Sequence, residues 1–441
     1  MKVSIITLGC KVNQYESQVL LNRMQAAGFT VCDPAEKSDV VILNTCTVTS
    51  VSDRKVRQML HRMRRKNPNA VLIATGCLPQ ASPQAAESQL AEADIVLGNS
   101  NRSSLLPDLQ KFLKGRQRIV DIVPHKKGEK FEPMCTNRFF ERTRAFLKIE
   151  DGCNRYCSYC IIPYARGPVR SKPLADLTEE LRQIAAGGYS EVVLTGINLS
   201  AYGQDLGLTL CDAVEAACAT DGIRRVRLGS LEPEQMDDVV IARLGRQKKL
   251  CPQFHLALQS GCDKTLGRMN RHYDTEEYRR IVHGLCREFA NSAITTDIMV
   301  GFPGETEEEF ETSRAFVKEI GFAKTHVFAY SRRPGTVADR ASGQVDPKVK
   351  ESRSHRMIET AEKVRSAFLK NQRGLTESVL FERECAPDVY EGYTANYTPV
   401  QMHSDENLCG KVISVTITES AEDFCLAEPV QEECAKTSTT F

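Results

Sequence analysis

AFLKIEDGCNRYCSYC, residues 145–160, decides how the whole chain reads. AFLKIE (145–150) is a strand-like apolar run, and directly after it Cys153, Cys157 and Cys160 stand at CxxxCxxC spacing. A short loop at a strand's carboxyl end can wrap three thiolates around one face of an iron–sulfur cube, whereas zinc fingers typically pair CxxC units and use four ligands. No fourth cysteine lies nearby, which leaves one iron open to an exogenous chelate. Five more runs follow at helical intervals: EVVLTG (191–196), RVRLGS (225–230), FHLALQ (254–259), AITTDIMV (293–300) and THVFAY (325–330). Helices between them are marked by Leu177, Leu181 and Ile184 on one face ahead of Gly187, and by Asp274 with Glu277 and Thr306 with Glu309 at capping-box spacing. Strands alternating with helices predict a parallel sheet curved into a partial (β/α)6 barrel over 138–373, with the cysteine loop at the carboxyl face where barrel sites form.

Upstream, VSIITL (3–8), VVILN (40–44), AVLIAT (70–75) and DIVLG (94–98) alternate with segments of helical period such as Glu16–Ala27. Continuous β-branched runs of this kind are buried parallel strands, so residues 1–123 read as a doubly wound α/β domain. Cys10, Cys46 and Cys77 each follow one of these strands, in TLGC, LNTC and ATGC, with Gly9 or Gly76 permitting close backbone approach. Ligand sites in open parallel sheets form beyond the carboxyl ends of strands, so the three can converge although 36 and 31 residues apart. PHKKGEKFEPMCTN (124–137) is a charged linker without apolar period. After the basic helical stretch 348–373 the period changes: KVISVTITES sets Ile413, Val415 and Ile417 on one face and Ser414, Thr416 and Thr418 on the other. With LTESVLFERE, TANYTPVQM and DFCLAEPV around it, 374–437 reads as a small β-barrel, and the chain as a whole as α/β.

At 41% hydrophobic and 26% charged, the 441 residues exclude disordered and fibrous classes. No apolar run approaches the roughly 20 residues of a membrane span, and the start turns polar by Lys11, too soon for a secretory signal. The expected location is the cytoplasm, where thiols stay reduced and ligation is the better use for seventeen cysteines. Beyond the two trios, eleven remain (32, 135, 211, 218, 251, 262, 286, 385, 409, 425 and 434), mostly expected as inert fillers, with Cys434 exposed and oxidisable. A net charge of +1 hides an asymmetry: from Gly374 onward 3 Lys+Arg face 13 Asp+Glu, a net of −10, leaving about +11 on residues 1–373. RKVRQMLHRMRRK (54–66) holds seven Lys+Arg and no acid, a cluster of the kind phosphate contacts need, or else only the solvated face of an amphipathic helix with Val56, Met59, Leu60 and Met63 inward. Arg138, Arg142, Arg144 and Lys148 form a second basic group beside the cysteine loop.

This order of an α/β domain with three dispersed cysteines, a CxxxCxxC barrel and a terminal β-barrel resembles the MiaB-like methylthiotransferases of the radical S-adenosylmethionine superfamily, whose last domain is called TRAM. TLGCKVNQYES, EDGCNRYCSYCIIPYARG, EVVLTGINLSAYG and TTDIMVGFPGE look like the branch acting on threonylcarbamoyladenosine at position 37 of tRNA. The branches acting on isopentenyladenosine or on an aspartate of a ribosomal protein usually read YGCQMN or GCPKN at the first motif, and remain the alternatives. The resemblance implies two 4Fe-4S clusters, one on Cys10, Cys46 and Cys77 and one on the catalytic trio Cys153, Cys157 and Cys160, together with S-adenosyl-L-methionine. It implies an electron donor of flavodoxin or ferredoxin type, and the tRNA anticodon loop as partner. One S-adenosylmethionine would methylate sulfur on the first cluster; a second, cleaved at the other, would yield the radical that takes hydrogen from carbon 2 of the adenine. Tyr159 would pack on the cofactor's adenine, and Thr195 and Gly196, in TGIN, stand where the superfamily often has a Gly-Gly-Glu motif contacting the methionine amino group. Glu232, Gln259 and Asp297, at or just beyond strand ends, could line the pocket, and the VGFPGE turn shapes a loop rather than binding phosphate. If the acidic terminal barrel grips tRNA, its contacts should come from a basic face around Arg383 and Lys411 or from Tyr393 and Tyr397. A non-catalytic cluster protein, an electron carrier or sensor, is the reading from another class; it predicts no cleavage of S-adenosylmethionine.

Overall fold

The computed structural model of the chain describes residues 1–136 and 143–430. Six parallel strands make the first sheet, in the spatial order Thr30–Val31, Lys2–Thr7, Val40–Thr45, Val71–Gly76, Ile95–Leu97, Ile119–Asp121. Val40–Thr45 and Val71–Gly76 are buried along their whole length, as helices on both faces demand. The two edge strands escape sequence reading because one has two residues and the other is incompletely buried, so neither shows an apolar run. The first helix, Lys11–Ala26, starts immediately after Cys10, earlier than its apolar period suggests, because Asn13 and Glu16 in its first turns are buried polar residues.

The next six runs form strands Ala145–Lys148, Glu191–Thr195, Arg225–Leu228, Gln253–Leu256, Ala293–Val300 and Lys324–Ala329. They are parallel, but the expected single sheet is divided in two at Gly229. The Gly229 N–H donates to the Leu194 carbonyl (2.8 Å), while Ser230 and Leu231 pair with His255 and Leu256, so the chain changes neighbour at this glycine. One core nevertheless spans both sheets. Helix Leu174–Ala186 buries Leu177, Leu181 and Ile184 completely, each worth about 1.5–3 kcal/mol. Thr306 and Glu309 form the reciprocal capping box; Asp274 makes only half of one, accepting from the Glu277 N–H.

Helix Pro347–Lys370 ties the central core, through Met357, to the terminal one, through Leu369. The terminal domain is a closed barrel of Thr376–Ala386, Val389–Thr394, Pro399–His403, Val412–Ser420 and Cys425–Pro429, with Val415 and Ile417 fully buried as alternation predicts. Its docking corrects one expectation. Tyr393 and Tyr397 stack on each other (centroids 4.5 Å apart) and are clamped onto the central domain by Arg144, 5.3 and 4.9 Å from their centroids, and by Arg227, 4.7 Å from Tyr397. Arg383 and Lys411 are paired with Glu391 and Glu406, so among the described residues neither offers an uncompensated charge for a basic face. Arg138, Arg142, Cys434 and the end of the expected 374–437 domain lie outside the described residues. Among the other cysteines, 211, 218, 251, 262 and 425 are buried fillers, but 135, 286, 385 and 409 are exposed. Among the described residues no helix is long and apolar enough to cross a membrane.

Candidate active site at the domain junction

Register brings the first trio to one edge of the first sheet. Thr45 lies opposite Gly76, so Cys46 and Cys77 leave adjacent strands side by side; Thr7 lies opposite Asn44, which carries Cys10 to the same edge. Gly9 (φ +111°) and Gly76 (φ +106°) take left-handed turns there, and a Cβ on Gly9 would sit 2.8 Å from the Cys46 Cβ. Cys46 and Cys77 are buried and Cys10 is exposed at the mouth. Burial pushes the Cys77 thiol up to about 11 although the Arg166 guanidinium opposes it, and Cys46 and Cys10 raise it further.

The second trio lies on the loop after Asp151. Burial pushes Cys153 and Cys160 up to about 12, and Cys157 raises both. Thiols crowded together in a medium that disfavours their anions need cations to ionise, which is what bound iron supplies. The Arg271 guanidinium donates to Cys157 Sγ (3.3 Å) and pairs with Glu232; the Ile162 N–H donates to Cys160 Sγ (3.4 Å), and Asn198 Nδ2 lies 3.9 Å from Cys153 Sγ. Among the described residues no three His, Cys, Asp or Glu side chains converge closely enough for a single metal ion. Thiolates on a cube bind three different irons and are spaced wider than the ligands of one ion. Within each trio the thiols lie close enough to raise one another's pKa, and three clustered cysteine sulfurs are the donor set an iron–sulfur cluster takes.

Arg166 joins the two. Wholly buried at the end of helix Ile162–Arg166, just beyond Cys160, it donates from Nε to Cys77 Sγ (3.3 Å), from Nη1 to Glu16 (2.6 Å) and Asp151 (3.2 Å), and from Nη2 to Asn13 (2.6 Å). Lys148 donates to Glu16 (2.7 Å) and Asp151 (2.6 Å), and Arg102 completes the set on Glu16 (2.8 Å). Nearby, Arg333 reaches Asp53 and Thr47 (both 2.6 Å), just past Cys46. Of these the sequence singled out only Lys148, as part of a basic group beside the cysteine loop, and it is spent inside this network; for the others the only hint was the ionic content of IPYARG and NQYE.

The remaining sequence-derived residues divide. Thr195, Gly196 and Asp297 line one cavity of about 390 Å³ that also holds Cys10. The turn after Thr195 closes round Glu150, whose carboxylate accepts from the Asn198 N–H (2.7 Å); a Cβ on Gly196 would sit 2.6 Å from Glu150 Oε2. Burial lifts Glu150 to about 8, so the turn encloses a neutral carboxylic acid at neutral pH. Gln259 is buried at φ +66°, and among the described residues its Oε1 has no hydrogen-bond partner. Glu232 sits apart from that cavity, on Arg271. Tyr159 packs edge-on against Phe302 (6.3 Å) in a cluster with Met269, Met299 and Tyr330. A larger cavity of about 920 Å³, between the linker and helix Leu174–Ala186, contains Cys135 but none of the six trio cysteines.

Helix Ser50–Lys66 follows Cys46 and buries Val56, Leu60 and Met63 as read, with Met59 half-buried. Arg64 and Lys66 are spent on Asp94 and on the Pro34 carbonyl, leaving Arg54, Lys55, Arg62 and Arg65 exposed as a basic row leading away from the junction.

Comparison with known proteins agrees in extent as well as kind. Residues 2–98 match the model of Uncharacterized protein family UPF0004, and residues 147–317 that of the Radical SAM superfamily. The chain is 36% identical, over 96% of itself and 95% of the relative, to the threonylcarbamoyladenosine tRNA methylthiotransferase MtaB of Bacillus subtilis, and 36% identical to that of Aquifex aeolicus over 95% of itself and 100% of the relative. It is 34% identical to the tRNA-2-methylthio-N(6)-dimethylallyladenosine synthase of Pelotomaculum thermopropionicum, over 95% of each chain. Among solved structures, the radical S-adenosylmethionine methyltransferase TsrM of Kitasatospora setae, with cobalamin and a 4Fe-4S cluster bound, shares the fold at a TM-score of 0.56 and 16% identity, over 77% of this chain and 74% of that one.

Proposed function

The chain belongs to the MiaB-like methylthiotransferase family of the radical S-adenosylmethionine superfamily, and from that premise we propose that it converts N6-threonylcarbamoyladenosine at position 37 of tRNA to its 2-methylthio derivative. The observation that carries the reading is the contact of Arg166 with Cys77: the segment that follows Cys160 runs straight to the other trio, so both face one junction. Cys153, Cys157 and Cys160 would hold one 4Fe-4S cluster and Cys10, Cys46 and Cys77 the other. With S-adenosylmethionine these groups supply a radical and a sulfur for a carbon neither acidic nor nucleophilic enough for acid–base chemistry. The chain's own tasks are placement and exclusion of water. Tyr159, Gln259 and the Thr195–Gly196 turn are assigned to the cofactor; Arg271 and Glu232 fix the loop at Cys157; Asp297, held by His255 Nε2 (3.3 Å), faces the base. The exposed row Arg54, Lys55, Arg62 and Arg65 supports contact with anticodon-loop phosphates. The closed terminal barrel is assigned as a TRAM domain, the reductant as a flavodoxin or ferredoxin, and the location as the cytoplasm.

Anaerobic reconstitution with dithionite and S-adenosylmethionine tests the reading. Deoxyadenosine should form and 2-methylthio nucleoside should appear in tRNA carrying threonylcarbamoyladenosine. Ala at Cys153, Cys157 and Cys160 should abolish both products, whereas Ala at Cys10, Cys46 and Cys77 should spare deoxyadenosine and stop sulfur insertion. Product only on dimethylallyladenosine tRNA, or a mass shift on a ribosomal protein, would transfer the activity to another branch. No deoxyadenosine at all would leave a cluster protein without this chemistry.

A further inference from the structure

We propose that Lys11 and Lys324 read a carboxylate on the substituent of the target base, which makes the junction cavity selective for an anionic modification; this deepens the tRNA reading above and rests on it. The cavity is unbalanced in charge. Lys11, Arg227 and Lys324 line it against the single carboxylate of Asp297, which His255 already engages. Arg227 is also committed, to Glu191 (3.1 Å) and the Ala395 carbonyl (2.9 Å). Among the described residues Lys11 and Lys324 have no hydrogen-bond or ion-pair partner through their side chains, and both are exposed into the cleft. They approach from different domains: Lys11 opens the helix after Cys10, and Lys324 begins the last barrel strand, where Lys324, His326 and Phe328 form one exposed face.

Two bare ammonium groups in a concave site favour an anion, and charge-assisted hydrogen bonds are the strong ones. The threonylcarbamoyl group carries a free carboxylate several bonds from the adenine carbon that receives sulfur. A cavity holding both Cys10 and a pair of unpaired cations suits that layout. A dimethylallyl group brings no charge and would leave both ammoniums unpaired beside an apolar substituent.

The test is equilibrium binding of anticodon stem-loops to the cluster-loaded protein. The four ligands carry threonylcarbamoyladenosine, its carboxamide analogue, dimethylallyladenosine or plain adenosine at position 37. Wild type should prefer the carboxylate over the carboxamide by about tenfold or more, the scale of a hydrogen bond to a charged group. K11Q and K324Q should each reduce that ratio, the double variant should bring it near one, and K11R with K324R should restore it. A wild-type ratio near one overturns the proposal, as does an equal loss on all four ligands, which would assign the lysines to phosphate. Methylthio product from the wild type separates the two layers. If tRNA product forms while K11Q and K324Q keep the full ratio, only the lysine assignment falls; if no tRNA product forms, the function reading falls with it.

Discussion

Replacing Glu16 by Gln isolates the bond between the first and second domains. The Glu16 carboxylate is fully buried, and its Oε1 alone meets Arg166 (2.6 Å), Lys148 (2.7 Å) and Arg102 (2.8 Å). Burial by itself would push its pKa up, but Arg102, Arg166 and Lys148 overcome that and hold it at about 2 against an ordinary 4.5. Removing one member of a buried ion network of this kind costs ~3–5 kcal/mol. Gln keeps the shape and loses the charge, so E16Q should cost about 3 kcal/mol at pH 7, or roughly 6–12 °C in the melting of the affected unit. The chain has no tryptophan, so circular dichroism of the metal-free protein is the natural readout. The sign with pH follows from the depressed pKa. Glu16 contributes fully above the unfolded value and loses its contribution as pH falls from about 4.5 toward 2, so the deficit of E16Q should shrink as the solution is acidified through that window. A deficit below about 1 kcal/mol at pH 7, or one that grows on acidification, would refute the reasoning.

Three further outcomes are expected. R166K keeps a charge but gives up the Nε–H donor to Cys77 and the second arm to Asn13, so the cluster at Cys10, Cys46 and Cys77 should shift its potential negative while the one at Cys153, Cys157 and Cys160 holds; redox titration followed by electron paramagnetic resonance reads both, and an unmoved first midpoint contradicts the assignment. G196A places a Cβ 2.6 Å from the Glu150 carboxylate and 3.0 Å from its Cβ, an overpacking worth about 1–3 kcal/mol that should appear as a lower melting temperature and weaker S-adenosylmethionine binding; wild-type values for both would show that the turn can move. Gln at Arg54, Lys55, Arg62 and Arg65 together should lower the log–log salt dependence of tRNA binding by roughly 0.7 per lost phosphate contact, close to 3 in all; an unchanged slope would make the row a solvated helix face.

What could be read from residue order alone was whatever depends on local spacing or period. The Cys153 loop, the six central strands and the amphipathic face of helix Ser50–Lys66 announce themselves over a few residues each. Cys10, Cys46 and Cys77 needed one more step, the knowledge that parallel strands end on one edge. The junction needed contacts across long stretches of chain: Lys148 meets Glu16 across 132 residues, and Arg166 meets Asn13 across 153. No pattern marks such partners, because an isolated Lys or Arg looks the same whether solvated or buried. The stack of Tyr393 and Tyr397 was misread for the same reason. Aromatic residues on an acidic barrel suggest RNA contact until Arg144 and Arg227, far upstream, are seen to occupy them.

The buried charge network also explains why the two trios can face each other in a fixed relation. A greasy interface tolerates sliding, since burial is proportional to area and indifferent to direction. Buried ions do not: each must meet its partner or bear an uncompensated charge. Arg102, Lys148, Arg166 and Arg170 are packed against Glu16 and Asp151, with Glu132 on Arg102 at the rim, an excess of one cation over the carboxylates. Arg166 directs part of that excess at Cys77 Sγ. Thiolates at the first trio would complete the balance, so ionising those cysteines and locking the domain register become one event. Stability of the junction and occupancy of the first trio should therefore rise together, with R166Q, which removes the cation aimed at Cys77, weakening iron retention at Cys10, Cys46 and Cys77 more than at Cys153, Cys157 and Cys160; equal retention at the two would separate the network from the site.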